Sequence, residues 1–204
     1  MLTAVVAGLI AEGRESRSVE FKSAGAWEDS TLQSGLKKAC LALGNTRDGG
    51  IVIVGVKPKP NAPGLHELDA LSDDQLRSFD PDVVLPQINA HASPHLTLAV
   101  ERHEVEPGKF VVVISVAELR DTPFLCIKDV IAANNRTVVP RGRIIIRSRR
   151  AHESTDLQYA EDMRELTDLI VDKGLENYFR RRAIEGQAST PTDAQRFREQ
   201  LGDL

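Results

Sequence analysis

The apolar positions at the start of the chain predict a short helix followed by a half-buried strand. Residues 5–10 form an apolar run that gives way to charged residues. Residues 18–22 then alternate between polar and apolar side chains, which is the period of a β-strand with one buried face. Glu20 and Lys22 lie on the polar face of this strand. The pattern therefore predicts an acid and a lysine side by side on one surface.

A helix and a second strand come next. Apolar residues recur at helical spacing between residues 31 and 44, with Asp29, Ser30 or Thr31 available as the N-terminal cap. A turn-forming run at residues 45–50 ends this helix. Residues 51–56 are mostly β-branched, which predicts a central strand buried on both faces.

The middle of the chain alternates further helices and strands. The predicted elements are a helix at 72–89 and strands at 96–102, 109–116, 124–128 and 144–148. Pro81 and Pro86 interrupt the helix, and Pro107-Gly108 joins the two longer strands as a hairpin. Strands and helices in this order predict an α+β fold, in which a mixed sheet is flanked by helices.

A long helix is predicted near the C-terminal end, over residues 154–173. Thr155 and Gln158 match the capping-box pattern, and Gly174 is placed to end the helix. Residues 186–193 are rich in Ser, Thr and Pro, which is typical of a linker. The pattern predicts a domain followed by a helical C-terminal extension.

The composition is typical of a globular protein from a reducing compartment. The domain boundaries are placed at residues 1–174 and 175–204, and the net charge of −4 argues against a uniformly basic surface. Cys40 and Cys126 have no partner at disulfide-framework or zinc-site spacing. The N-terminal apolar run is too short to span a bilayer and has no basic segment before it. These features predict a cytoplasmic protein without membrane association.

Several short motifs follow one another within residues 15–56. They are Glu15, the triplet Glu20-Phe21-Lys22, the helix end Ala42-Leu43-Gly44-Asn45-Thr46, the pair Gly49-Gly50 and the strand Ile51-Val52-Ile53-Val54-Gly55-Val56. Their order and spacing resemble the Schlafen-type AlbA domain. The resemblance implies an AlbA-like fold and nucleic-acid binding. Members of that family with an intact acidic cluster are metal-dependent endoribonucleases that act on structured RNA, and some prokaryotic members occur in regulatory or antiviral contexts.

The resemblance implies a catalytic site at the first strand. Glu15 and Glu20 would be the metal-site carboxylates, with Mg²⁺ or Mn²⁺ as the cofactor and Lys22 as a third catalytic group. Carboxylate oxygens are the usual ligands of the hard cations that organise water for phosphodiester hydrolysis. A structural alternative is that Glu20 and Lys22 form an ion pair on a solvated sheet face, with Glu15 in a turn.

The third acid of the family is missing from its expected position. In the family it follows the strand at residues 51–56 directly, but Lys57 stands there. Two interpretations remain open at this stage. Either Glu67 or Asp69 takes the place of the missing acid, or Lys57 binds phosphate in a domain that does not cleave.

Arginines are concentrated between residues 136 and 152, where there are no acids. They are Arg136, Arg141, Arg143, Arg147, Arg149 and Arg150. If residues 143–149 form a strand, Arg143, Arg147 and Arg149 lie along one face and Ile144 and Ile146 face the core. We therefore predict that these three arginines, with Arg150 and Lys57, contact a nucleic-acid backbone. The alternatives are a charged sheet edge and an interface with a second copy.

Three functional hypotheses follow from these patterns. The first is a nucleic-acid-binding protein with metal-dependent endoribonuclease activity, and the second is a non-catalytic binding or assembly module with a degenerate acidic site. The third is an ATP-binding regulator. Aromatic residues make up only 4% of the chain, which favours recognition of shape and backbone. The resemblance implies structured RNA, in preference to DNA, as the ligand. Because the animal Schlafen core clamps RNA between two such lobes and this chain holds one, the resemblance also implies a homodimer.

Overall fold

The computed structural model describes residues 2–150 and 153–188. The helices are α1 (Leu2–Glu12), α2 (Ser30–Gly44), α3 (Asp73–Ser78), α4 (Pro81–Asn89) and α5 (Ala160–Ala188). The strands are β1 (Val19–Lys22), β2 (Gly50–Val54), β3 (Val56–Pro58), β4 (His66–Leu68), β5 (Ala92–Ser93), β6 (Leu98–Glu106), β7 (Lys109–Val116), β8 (Leu125–Cys126), β9 (Val130–Ile131), β10 (Thr137–Val139), β11 (Ile145–Arg147) and β12 (Ser154–Asp156). None of the helices in these residues is long and apolar enough to cross a membrane.

A four-stranded mixed sheet organises the fold. Its order is β1-β2-β7-β6, with β1 parallel to β2 and the other neighbours antiparallel. The predicted α+β class is confirmed. β2 is the central strand, and its residues Val52, Ile53 and Val54 are fully buried because helices cover both faces of the sheet.

The two faces of the sheet are covered by different helices. Val6 of α1 packs in one apolar cluster with Phe21 and Ile53. The larger cluster lies on the other face, where Leu36 of α2 packs with Val54 and with residues of α3, α4 and α5. Because side chains alternate along a strand, Glu20 and Lys22 point to the α2 side.

Helix α2 begins and ends as its sequence indicates. The Asp29 carboxylate accepts hydrogen bonds from the backbone N–H groups of Thr31 (2.8 Å) and Leu32 (3.2 Å), as an N-terminal cap does. After the helix, Asn45 Nδ2 donates to the carbonyls of Phe124 (3.0 Å) and Ile145 (2.9 Å). This amide therefore joins the end of α2 to the segments around β8 and β11.

Both predicted ends of the long helix near the C-terminal end are wrong. Residues 154–156 form strand β12, paired with β11, and do not begin a helix. Helix α5 begins at Ala160 and passes through Gly174, so the predicted domain boundary at residue 174 falls inside one helix. An internal glycine costs about 1 kcal/mol, which tertiary contacts can offset. Lys173 supplies such contacts, since its Nζ lies 2.5 Å from Glu118 and 3.1 Å from Glu176. The predicted linker lies mostly outside the described residues.

Residues between β8 and β11 form a hairpin that the periodicity did not predict. Strands β9 and β10 pair antiparallel, and Asn135 adopts a left-handed backbone conformation (φ 57°) in the turn. Each strand has only two or three residues, which is too short for alternation to be visible in the sequence. The hairpin packs against α2 and helps to form one of the surfaces described below.

Candidate nucleic-acid interface

Glu15 protects the free edge of the sheet. The carbonyls of Ser18 and Lys22 accept hydrogen bonds from Ile51 and Gly55 beside β1, so the intervening Phe21 N–H points away from β2. Glu15 Oε1 accepts a hydrogen bond from this N–H at 2.9 Å. A carboxylate that pairs an edge N–H satisfies a backbone group that no neighbouring strand can reach.

Arg147 is buried, with only 1% of its side chain exposed. Its guanidinium ion-pairs with Glu20 and donates to the carbonyl of Ser16 at 2.6 Å. Longer bonds of 3.3 Å reach the carbonyls of Arg17 and Val19. A buried charge persists only where it is paired and hydrogen-bonded, and this guanidinium meets both conditions.

The predicted row of arginines on one strand face is therefore wrong for Arg147. β11 is only three residues long, and Ile145, Ile146 and Arg147 are all buried. Alternation requires one side of the strand to face solvent, but the edge of β1 and its preceding loop close that side. Arg143 and Arg149 are exposed, at 57% and 65%, but they stand on the two loops that flank the strand.

Glu20 is not free to bind a cation. One of its carboxylate oxygens contacts Lys22 and the other contacts Arg147. The three side chains carry a combined charge of +1, which disfavours a divalent cation at this place. No cluster of three or more His, Cys, Asp or Glu suited to a metal ion occurs among residues 2–150 and 153–188. The donors around Glu15 and Glu20 do not fit Mg²⁺ or Mn²⁺, and the metal requirement stays a prediction.

The residues considered for the third acid are also engaged. Lys57 Nζ lies 3.3 Å from Asp69 Oδ1 and 4.0 Å from Glu67. The other oxygen of Asp69 accepts a hydrogen bond from the backbone N–H of Ala24 at 3.0 Å. Asp69 thus holds the chain after β1 in place, and Lys57 neutralises it.

A second ionic cluster attaches α5 to the body of the protein. Glu165 accepts two hydrogen bonds from the Arg17 guanidinium, at 2.8 and 2.9 Å, and a third from Arg149 at 2.8 Å. Burial opposes ionisation of Glu165, but these hydrogen bonds outweigh it and lower the pKa of its carboxyl below the ordinary value. Arg17 also donates to the carbonyl of Arg147 at 3.0 Å, which links this cluster to Glu20.

A groove of about 630 Å³ lies beside this cluster. Its charged lining residues are Arg17, Arg47, Arg149, Arg164, Asp48, Glu161, Glu165 and Asp168. The cations and acids are equal in number, and Arg47 is already paired with Asp172 at 2.7 Å. Such a lining has no surplus of positive charge to attract a nucleic-acid backbone.

Cations without acidic partners gather instead around the first half of α2. We call this surface the α2 face; it comprises Lys37, Lys38, Lys128 and Arg136 with the hydroxyl-bearing residues Thr31 and Ser34. Among the described residues, none of these four cations has a carboxylate within 4.0 Å, whereas seven of the other arginines do. A cavity of about 410 Å³ lies here, between Thr31, Ser34 and Gly35 of α2 and Arg136 of the hairpin.

The electrostatics of the α2 face show that Lys37 and Lys128 lie close together. Burial lowers the pKa of Lys37, and the positive charge of Lys128 lowers it further. Burial likewise lowers the pKa of His91, with a contribution from both lysines, although its ring nitrogen Nδ1 lies 2.9 Å from the Lys128 carbonyl. Like charges held together without acids favour an anionic partner. The stem of Lys22 passes over Gly35, where a Cβ would lie 3.5 Å from Lys22 Cε, so the predicted catalytic lysine borders this surface.

Most residues of the α2 face were not predicted from the sequence. Arg136 was counted among the clustered arginines, but Lys37 and Lys38 were treated only as part of a helix. Adjacent lysines on an amphipathic helix are a visible signal. The proximity of Lys37 to Lys128 depends on the packing of the hairpin region against α2, which no local pattern reveals.

Comparison with known proteins gives one family match. The family model described as Schlafen, AlbA_2 matches residues 15–155, which is more than half of the chain. No curated protein matches the chain significantly. Among solved structures, the chain is similar to the DIP2311 protein from Corynebacterium diphtheriae, with a TM-score of 0.49 and 19% identity over 80% of this chain and 28% of that one. It is also similar to the N-terminal domain of an ATP-dependent DNA helicase RecG-related protein from Nitrosomonas europaea, with a TM-score of 0.39 and 22% identity over 57% of this chain and 72% of that one.

The family match carries the assignment, because both structural similarities are distant. The chain spans only 28% of the length of the DIP2311 protein. The matched residues contain the acid-flanked strand β1, the helix end at Asn45 and the turn into β2. They also contain the hairpin and lysines of the α2 face. The chain belongs to the Schlafen, AlbA_2 family.

Proposed function

We propose that this domain binds nucleic acid through the α2 face and does not cleave it. The observation that carries the proposal is the α2 face, where Lys37 and Lys128 lie close together without acidic partners and Arg136 lines the adjoining cavity with Thr31 and Ser34. Phosphate contacts by Lys and Arg supply most of the affinity of a nucleic-acid-binding protein. The Thr31 hydroxyl adds a hydrogen-bond donor for a phosphate oxygen, whereas the first N–H groups of α2 are already bound by Asp29.

Structured RNA is the first ligand to test. The α2 face contains no aromatic side chain, so it offers no platform on which unpaired bases could stack. Recognition through backbone and shape suits paired regions, and 2′-hydroxyl groups would distinguish RNA from DNA. The proposal therefore favours an RNA stem-loop over single strands.

Metal-dependent cleavage is the second candidate, and its support is the placement of Glu15, Glu20 and Lys22 around one strand. Against it stands the pairing of both Glu20 oxygens with cations. Cleavage would require these pairs to open so that a divalent cation could bind. The two candidates therefore differ in a simple assay with and without Mg²⁺ or Mn²⁺.

The test is a binding titration by fluorescence anisotropy at several salt concentrations. The ligands are a labelled RNA stem-loop, its DNA counterpart and an RNA single strand. The α2-face variant carries Lys38→Ala, Lys128→Ala and Arg136→Ala. We expect it to lose at least about tenfold in affinity and to reduce the slope of log K against log salt by roughly 2 to 3, because each phosphate contact contributes about 0.7 to 0.9.

Two control variants change the same number of charges elsewhere. One carries Arg14→Ala, Lys59→Ala and Lys109→Ala, all exposed residues outside the α2 face. The other carries Arg143→Ala, Arg149→Ala and Arg150→Ala, which tests the arginines predicted from the sequence. Wild-type affinity of the α2-face variant, or a loss confined to the Arg143 variant, would overturn the proposed surface.

Cleavage is measured on the same ligands after incubation with Mg²⁺, with Mn²⁺ and with a chelator. We expect intact RNA under all three conditions. Metal-dependent products that disappear in Glu20→Gln, with the chelator also blocking them, would refute the non-catalytic form of the proposal.

A further inference from the structure

One side of α5 attaches the helix to the rest of the protein. Leu166 and Leu169 are buried in the main core, and Asp162, which is 3% exposed, accepts a hydrogen bond from Ser148 at 2.9 Å. Further along, Lys173 pairs with Glu118, and Asn177 Nδ2 donates to the carbonyl of Arg120 at 3.2 Å. At 100° per residue these side chains share one face of the helix.

The opposite side of α5 carries large apolar side chains in contact with solvent. Val171, Leu175, Tyr178 and Phe179 are between 51% and 64% exposed. Val171, Leu175 and Tyr178 follow one another at intervals of four and three residues, the spacing of an a/d seam between two helices. Solvated helix faces rarely place four such side chains together. We call Asp168, Val171, Leu175, Tyr178, Phe179 and Arg182 the outer stripe.

The two ends of the outer stripe have opposite charges. Asp168 precedes Val171 by three residues, and Arg182 follows Tyr178 by four, so both continue the seam. They are exposed and about 21 Å apart along the helix, which is too far for them to pair with each other. The Arg182 guanidinium carbon lies 5.8 Å from the centroid of the Tyr178 ring. This places it at the border of the apolar patch.

We propose that the outer stripe is the contact between two copies of this chain, whose α5 helices pack antiparallel with Leu175 near the centre. This arrangement brings Asp168 of each helix to the Arg182 end of the other, so both ends of the seam gain opposite charges. A parallel pair would place Asp168 beside its own copy and Arg182 beside its own copy, and both contacts repel. The interface is isologous and closes as a dimer.

The position of the globular part of the chain relative to α5 allows this pairing. The globular part of each chain packs against the side of α5 that faces away from the outer stripe. In an antiparallel pair the two bodies therefore lie on opposite sides and towards opposite ends of the seam. The interface is small compared with the roughly 800 Å² per partner of standard complexes, so we expect dissociation in the micromolar range.

Light scattering and cysteine crosslinking test the proposal in the full chain. We expect the mass to rise from that of one 22.4 kDa chain towards twice that value as concentration increases. Leu175→Glu should abolish the rise and leave the circular dichroism spectrum unchanged, because Leu175 is exposed in the monomer. Leu175→Cys should form a disulfide-linked dimer on oxidation, since Cys40 and Cys126 are buried.

Arg182→Cys is the matched control for crosslinking. In the antiparallel pair the two copies of residue 182 lie about 21 Å apart, beyond the reach of a disulfide, so no crosslink should form. Crosslinking of both variants would indicate a parallel pair and overturn the proposal.

Charge exchange tests which ends meet. Asp168→Arg and Arg182→Asp should each weaken dimerisation at least about tenfold, and the double variant should restore it. Failure of the double variant to recover dimerisation would refute the antiparallel arrangement. A chain that stays monomeric at about 100 µM, for example because residues 189–204 or another molecule occupy the stripe, would refute self-association.

Discussion

Removing the Arg147 guanidinium is the most direct test of the buried ion pair. In Arg147→Ala, Glu20 keeps only Lys22 as a partner, and the carbonyls of Ser16 and Val19 lose the hydrogen bonds that the guanidinium donates. Breaking a buried pair by removing one partner costs about 3–5 kcal/mol. Domains of this kind have a total stability of about 5–15 kcal/mol, so the loss is a large fraction of it.

Urea unfolding followed by circular dichroism measures this loss. With an m-value of about 2 kcal/mol per molar urea, the midpoint should fall by roughly 1.5–2.5 M. Arg143→Ala is the control, because the Arg143 side chain is 57% exposed and its nearest acid, Asp156, is 4.0 Å away. Its midpoint should equal that of the wild type.

A double variant separates the ion pair from the loss of side-chain volume. Glu20→Gln combined with Arg147→Met removes both charges and keeps apolar volume in the site. We expect this protein to be more stable than Arg147→Met alone, which keeps the same apolar volume but leaves the Glu20 carboxylate without the guanidinium. A loss of less than about 1 kcal/mol in Arg147→Ala, together with weakened RNA binding, would refute the buried pair and restore the exposed row of arginines.

Three further expectations concern the packing and titration of single residues. Gly44→Ala should lower the free energy of unfolding, measured by urea denaturation, by about 1–3 kcal/mol, because a Cβ there would lie 2.6 Å from Leu96 Cδ2. Gly174→Ala is the control: this glycine is exposed, and its substitution should not destabilise the protein. The Glu165 carboxyl has a pKa below 4.5 in the folded protein, so its contribution to stability is present above pH 4.5 and is lost as the pH falls through the folded-state pKa. Glu165→Gln should flatten that part of the curve of stability against pH, and an unchanged curve would contradict this expectation. Burial, together with the charge of Glu20, raises the pKa of the Cys40 thiol to about 12. A thiol reagent at pH 8 should therefore label Cys40 only after unfolding, and rapid labelling of the native protein would contradict its burial.

The pairing of Glu20 explains why a recognisable motif does not by itself establish an active site. The triplet at Glu20 to Lys22 has the residue types of a hydrolytic centre, yet one Glu20 carboxylate oxygen pairs with Lys22 and the other pairs with the buried Arg147 beside an open sheet edge. Glu15 serves the same edge through the Phe21 N–H. In this chain the acids of the motif stabilise β1 itself.

Local patterns determined the elements whose signals extend over several turns or several strand residues. Helix α2 was predicted within one residue of its observed start, and the β6–β7 hairpin was predicted around Pro107-Gly108. The family was recognisable from motifs within residues 15–56, and the family match confirms it. Such features depend on interactions between residues close in sequence, so the sequence alone is sufficient to predict them.

Only the tertiary structure decided which charged side chains are buried and paired, and where the last helix begins and ends. Arg147 and Arg149 have the same side chain two residues apart, but one is buried at the edge of β1 and the other is exposed. Gly174 does not end α5, because Lys173 is held by Glu118 from a distant part of the chain. The pairing of a charge depends on which segments the fold brings within about 4 Å, and that distance has no signature in local periodicity.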